Sequence, residues 1–220
     1  MFTQLLQIVF WFNPFIPLVE DALREIHEFE ADKAVIQSGT DPVTYTRILF
    51  GQDKAAQAII HAYRAKHKIL IAGNGGSAAD SQHLAAEFVN RFNFDRPGLP
   101  AIALTTDTSI LTSVSNDSGF NMLFSRQIEA LGMEGDLFLG LSTSGNSPNI
   151  IEALSVCRKE KIFSIGLSGS DGGKMKDLCD ICIMVPSDET PRIQEAHILI
   201  GHIICSLVEE ELFIHLNPEK

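Results

Sequence analysis

Positive charge is scarce in this sequence: 17 Lys and Arg stand against 28 Asp and Glu, leaving a formal net charge of −11. That balance argues against general nucleic-acid binding, which needs basic surface to neutralise phosphates. No basic segment or helix-turn-helix pattern is attached, so a DNA-binding regulator is disfavoured as well. Gly and Pro are not in excess and 45% of residues are hydrophobic, a globular rather than a disordered composition. Cysteine is limited to Cys157, Cys179, Cys182 and Cys205. Cys179 and Cys182 form a CxxC, but no second CxxC completes a zinc site. We read "CDICIMV" as a short buried strand and all four cysteines as small core residues of a reducing compartment.

The opening "MFTQLLQIVFWFNPFIPLVE" is apolar for about the length of a membrane span. It lacks a basic n-region and a small-residue cleavage site, and Asn13, Pro14 and Pro17 interrupt it. It is therefore a poor signal peptide and a poor spanning helix. The expected location is the cytoplasm.

Beyond a helical stretch at 19–38 and the stop "GTDP", strand-like and helix-like segments alternate. A helix is expected over 42–65. Strands are expected at 68–73, 100–105, 136–142, 162–168 and 181–186. Helices are expected at 77–91, 108–115, 120–131, 147–160 and 190–213. Short, continuously apolar strands between helices predict an α/β fold with a parallel sheet covered on both faces. In such folds ligands sit beyond the carboxyl ends of the strands. Two unusual loops fall at that edge, "GNGGS" after the first strand and "STSGNS" after the third.

In the first loop Gly73, Gly75 and Gly76 let a ligand approach the backbone, and Ser77 is placed to cap the next helix. The motif is neither a Walker A nor a GxGxxG. In the second, Ser142, Thr143, Ser144 and Ser147 put four hydroxyls around one turn. Capping uses one or two; four together favour a phosphate cradle. His83 and Glu87 lie at i and i+4 and so share a helix face, a spacing that suits a metal, a proton-transfer pair or a plain surface hydrogen bond. Far along the chain, Gln194, His197 and His202 sit on an otherwise apolar helix. Gln194 and His202, eight residues apart, share a face. A buried core histidine is the bland alternative for His202.

"GNGGSAADSQHLAAEFVNRF", "RPGLPAIALTTD", "SNDSGFN", "GDLFLGLSTSGNSPNI" and "RIQEAHILIGHIIC" together resemble the phosphoheptose isomerases of the sugar isomerase (SIS) superfamily, in order and spacing from about Gln52 to Phe213. The resemblance implies a flavodoxin-like three-layer α/β/α sandwich. It also implies a homotetramer with sites between subunits, and conversion of sedoheptulose 7-phosphate into D-glycero-D-manno-heptose 7-phosphate on the way to bacterial surface heptose. Carried over residue by residue, it implies His83, Glu87, Gln194 and His202 as ligands of one Zn²⁺ per subunit. Glu87 would be the base and His202 the acid. Contacts to the seven-carbon sugar phosphate would come from Asn74, Gly75, Gly76, Ser77, Asn116, Asp117, Ser142, Thr143, Ser144, Ser147 and Gln194. Pro191 stands where the family often has Asp. Residues 51–220 are expected to form the isomerase domain.

Residues 1–50 do not fit that family. "FWFNPFIPLVEDALREIHEFEADKAVIQSGTDPVTYTRILF" resembles a piece of the BlaR-type membrane zinc peptidases, but "HEFEA" lacks the second histidine of HExxH. His27, Glu28 and Glu30 therefore read as solvated helix residues. An exposed Phe10, Trp11 and Phe12 cluster would favour association or membrane contact. A non-enzymatic alternative is a SIS-domain protein that engages the replication initiator DnaA. Such a protein shares "GNGGSAA" and "RIQE" but lacks counterparts of Glu87 and His202, which this chain keeps.

Overall fold

The computed structural model describes residues 42–216. The expectations for the N-terminal segment before Pro42 lie outside the described residues. Helix α1 (Pro42–Arg64) leads into β1 (Ile69–Gly73), α2 (Gly76–Val89) and β2 (Ala101–Ala103). Then follow α3 (Thr108–Asp117), α4 (Leu123–Leu131), β3 (Leu137–Ser142), α5 (Pro148–Lys159), β4 (Phe163–Ser168), β5 (Ile181–Met184) and α6 (Thr190–Phe213). The five strands make one sheet in the order β2-β1-β3-β4-β5, every neighbouring pair parallel. That order, with its reversal between β1 and β3, is the flavodoxin-like winding that the family resemblance implied.

The alternation of side chains along β1 shows why the strands read as unbroken apolar runs. Ile69 and Ile71 pack on one face with Ile59 of α1, Leu84 and Phe88 of α2, and Ile200 and Ile204 of α6. Leu70 and Ala72 pack on the other with Phe124 and Ile128 of α4 and Ile150 and Leu154 of α5. Both faces are dry, so both sets of residues must be apolar.

Three details differ from the sequence reading. The helical stretch at 120–131 is a 3₁₀ turn (Phe120–Met122) followed by α4, because Gly119 with φ of 90° breaks the chain after α3. Ser77 is not a cap: α2 begins at Gly76 with Gly75 as its N-cap, and Ser77 lies buried in the first turn. "CDICIMV" is not a buried strand throughout. β5 starts at Ile181 on the sheet edge, and Cys179 and Cys182 are half-exposed there, whereas Cys157 and Cys205 are core residues.

Gly201 sets the spacing of α2 and α6. A Cβ there would stand 2.5 Å from a methyl carbon of the buried Leu84, so any larger residue would have to push that side chain aside for α6 to settle onto α2 as it does. The neighbours in sequence of that contact are His83 and His202. Packing in the core thus determines where the candidate site forms.

One turn before Gly201, His197 is fully buried and its Nε2–H donates to the Ser168 carbonyl at 3.2 Å. A carbonyl only accepts, so Nδ1 carries the lone pair, and among the described residues it has no partner. Burial pushes this imidazole below its ordinary value of 6.5, the bond to Ser168 opposing weakly. The unfolded chain therefore binds a proton near pH 6.5 that the native protein refuses. Stability is complete above that pH and falls as the pH drops below it. In His197→Gln, which keeps a donor without titrating, the drop in melting temperature between pH 7.5 and pH 5.5 is expected to be smaller than in the parent. An unchanged drop in thermal melts would contradict this.

Candidate active site

β1 and β3 are adjacent and end together, with Gly73 opposite Leu141, so the loops that follow them lie side by side. A reciprocal amide pair joins the two loops: Asn74 Nδ2 donates to Asn149 Oδ1, and Asn149 Nδ2 to Asn74 Oδ1, both at 2.9 Å. Asn149 is buried in the first turn of α5. Sequence reasoning missed it; a buried asparagine just inside a helix start was the available signal.

Gly75 adopts φ of 58° and a side chain there would meet nothing within 4 Å, so the loop is open to a ligand above it. No side chain caps α2 at that end. Its leading N–H groups favour an anion or a polar oxygen. Gly76 is different: Gln194 Nε2 stands 2.6 Å from where its Cβ would be. Gln194 is thus laid over the glycine loop.

In the second loop Ser142 and Ser147 share a hydrogen bond between their hydroxyls at 2.9 Å, and Ser144 Oγ accepts from the Asn146 N–H at 3.1 Å. Ser147 is the N-cap of α5 but its side chain makes no capping bond. Thr143 is half-buried, and its carbonyl accepts from the Gly169 N–H at 3.0 Å. The Ser142 and Ser147 hydroxyls are therefore held to each other, and Ser147 is not used up in capping the helix. Ser147→Ala is expected to raise KM for a phosphorylated substrate by about tenfold to a hundredfold, since a hydrogen bond to a charged group contributes about 1.5–3 kcal/mol. Its melting temperature should stay near the parent's. A variant with unchanged KM in steady-state assays would remove Ser147 from the cradle.

On the facing helices His83, Glu87 and His202 come together. His83 Nε2 lies 3.1 Å from His202 Nε2 and 3.2 Å from Glu87 Oε1, and one ligand atom of each residue lies within 4.8 Å of the others. Among the described residues this is the one such group of three His, Cys, Asp or Glu. Two imidazole nitrogens and a carboxylate oxygen converging on one point suit a cation. Tetrahedral zinc with bonds of about 2.05 Å needs donors about 3.3 Å apart, close to the separations seen. The ring of Phe92 packs on His202, with centroids 5.4 Å apart.

Gln194 precedes His202 by eight residues, about 12 Å along a helix axis, and its amide faces Gly76. Asn116 and Asp117 stand exposed at the end of α3, where Asn116 Nδ2 donates to Asp117 Oδ1 at 2.7 Å. Among the described residues no hydrogen bond ties them to either loop. Pro191 occupies the first turn of α6, and Arg192 pairs with Glu195 at 2.6 Å.

Asp80, which the sequence reading passed over, lies one turn before His83 with its Oδ2 buried and without a hydrogen-bond partner among the described residues. Burial raises this carboxyl above its ordinary value, and the charge of His83 partly opposes the rise. Its spacing of three from His83 was the signal that could have found it.

A parallel α/β domain with polar loops over its carboxyl edge and a histidine–carboxylate cluster beside them is the class that fold and site define. The SIS domain family matches residues 51–169, more than half of the chain. A phosphoheptose isomerase from Aneurinibacillus thermoaerophilus is 65% identical over 161 residues, 73% of this chain and 81% of the relative. Phosphoheptose isomerase 2 of Campylobacter jejuni is also 65% identical, over 72% of this chain and 79% of that one. The solved phosphoheptose isomerase of Neisseria gonorrhoeae is 39% identical with a TM-score of 0.72, covering 86% of this chain and 98% of its own. The chain belongs to the phosphoheptose isomerases of the SIS-domain family.

Proposed function

We infer that the chain interconverts D-sedoheptulose 7-phosphate and D-glycero-D-manno-heptose 7-phosphate, an aldose–ketose isomerisation early in bacterial heptose biosynthesis. The observation that carries this reading is the meeting of Glu87 and His202 around His83 in a chain 65% identical to phosphoheptose isomerases. The same pair disfavours the DnaA-associated binding protein, which would have no use for it.

The reaction moves one proton from C1 of the ketose to C2 of the aldose through an enediolate, with no net change in atoms or electrons. It needs a base at carbon, an acid at oxygen and stabilisation of developing negative charge. Glu87 is the base: it takes the C1 proton and returns it at C2. His202 moves the hydroxyl proton from O1, which becomes the aldose carbonyl oxygen, to O2, which becomes a hydroxyl. The serine loop and the N-terminus of α2 hold the phosphate and the sugar hydroxyls, with Asn74, Gly75 and Gly76 on one side and Ser142, Thr143, Ser144 and Ser147 on the other.

His83, Glu87 and His202 would hold a zinc ion, with Gln194 joining on reorientation of its amide away from Gly76. Bound there, the metal would supply carbonyl polarisation and charge stabilisation. A carboxylate that is a tight ligand is a poor free base, so the metal and the substrate proton compete for Glu87.

A homotetramer with sites at subunit interfaces is supported by surface composition. Leu199 is 60% exposed and Val89 52%, and Leu199, Ile203 and Leu207 form a stripe on α6 beside His202. Asn116 and Asp117 would then serve a neighbouring subunit's site. Among the described residues no helix is long and apolar enough to cross a membrane, which is compatible with the expected cytoplasmic location.

The test is incubation of zinc-loaded protein with sedoheptulose 7-phosphate and identification of the product by ¹³C NMR. The aldose is expected; unchanged ketose over a folded protein would contradict the reading and favour a binding role.

A further inference from the structure

Arg96 and Glu209 form an ion pair, Nε to Oε1 at 2.9 Å, with both side chains 1% exposed. Taking two charges out of water is costly, and such a pair is tolerated when its remaining donors and acceptors are used. Here they are. Arg96 Nη2 donates to the backbone carbonyl of Glu87 at 2.8 Å, and Nη1 to those of Phe88 at 2.7 Å and Pro97 at 3.0 Å. The guanidinium thus caps the carboxyl end of α2, where a cation also suits the helix dipole. Glu209 accepts from the Phe92 N–H at 2.8 Å and the Asn93 N–H at 2.6 Å, fixing the turn that follows α2.

These bonds lead to the proposed proton-transfer groups by two routes. Glu87 is reached through its own carbonyl. His202 is reached through Phe92, whose N–H is held by Glu209 and whose ring lies on the imidazole, tilted by 40°. Glu209 itself follows His202 on α6 by seven residues, so pair and imidazole share a helix face.

We propose that Arg96 and Glu209 are positioning residues for isomerisation: from behind the site they set the geometry of Glu87 against His202. The inference rests on the reading of those two residues as base and acid. A displacement of about 1 Å between reacting groups costs about a hundredfold in rate. Loss of the clamp should therefore appear in kcat and leave substrate binding by the two loops intact. A purely stabilising pair would lower the melting temperature and leave kcat per folded site unchanged.

The experiment uses zinc-loaded protein and compares Glu209→Gln, Arg96→Lys and Phe92→Leu with the parent. It measures kcat, KM for sedoheptulose 7-phosphate and melting temperature, and adds the ¹H–¹³C ring signals of His202 in zinc-free protein. Glu209→Gln and Arg96→Lys are expected to lose about tenfold or more in kcat with KM within about twofold, and to shift the His202 signals. Phe92→Leu leaves the buried pair in place and is expected to lower kcat with little change in melting temperature. Folded variants with parental kcat and unmoved His202 signals would overturn the proposal. Should the two charge variants not fold, parental kcat in Phe92→Leu overturns it and a lowered kcat sustains it. Should the parent not turn over the ketose at all, the isomerase reading fails. The His202 signals in Glu209→Gln then decide the positioning claim separately: shifted signals sustain it, unmoved signals overturn it.

Discussion

Glu87→Gln is expected to lower kcat by about a hundredfold to ten-thousandfold, the range associated with a general base. Glutamine keeps the length and shape of the side chain and still presents an oxygen towards His83, but it accepts no proton from carbon. KM should stay within a few-fold, because the phosphate site proposed here lies in the loops after β1 and β3 and not on α2's later turns. Stability should change little as well. The bond that ties residue 87 into the fold runs from Arg96 to its backbone carbonyl, which the substitution leaves alone. The side chain itself is a quarter exposed, and among the described residues its one ion-pair contact is to His83. Steady-state kinetics on the purified variant decide the matter: a kcat within threefold of the parent would remove Glu87 from its role.

The second large effect is expected at Gly145, in the middle of the hydroxyl loop. Its φ is 62°, and a Cβ there would stand 2.2 Å from the Gly172 carbonyl oxygen. Gly145→Ala therefore meets two penalties, a left-handed backbone that costs an L-residue about 1–2 kcal/mol and a clash with main chain that cannot rotate away. The loop must move, and with it the 3₁₀ turn at Gly173–Asp177, whose Met175 N–H donates to the Gly145 carbonyl. We expect a loss of at least about 2 kcal/mol in denaturant unfolding, within the range for strain at a special backbone position. Turnover should fall through KM, since Ser144 and Ser147 lose their common geometry. Parental stability together with parental KM would show that this loop is neither rigid nor a phosphate site.

The fold was largely legible because the inner strands β1, β3 and β4 are short apolar runs buried almost throughout, and β3 with β4 read most clearly. β2 read less well: only Ala101–Ala103 pair, since the chain leaves the sheet edge at once. The misreading of "CDICIMV" has the same origin, because an edge strand needs no continuous burial. His83 and Glu87 were legible from local spacing, and His202 from its apolar setting. Ser77 misled because a serine near a helix start usually caps, whereas here Gly75 takes the cap position. The Asn74–Asn149 pair and the Arg96–Glu209 clamp span 75 and 113 residues, and no spacing rule connects such partners. Only the folded sheet brings them together.

The central claim is that His83, Glu87 and His202 act as one metal-organised isomerase centre. Turnover of sedoheptulose 7-phosphate should be measured on protein stripped by a chelator, with metal content checked, and again after zinc is returned. Loss of turnover on stripping and its recovery with zinc are predicted. Full turnover by protein shown to be metal-free would contradict the account.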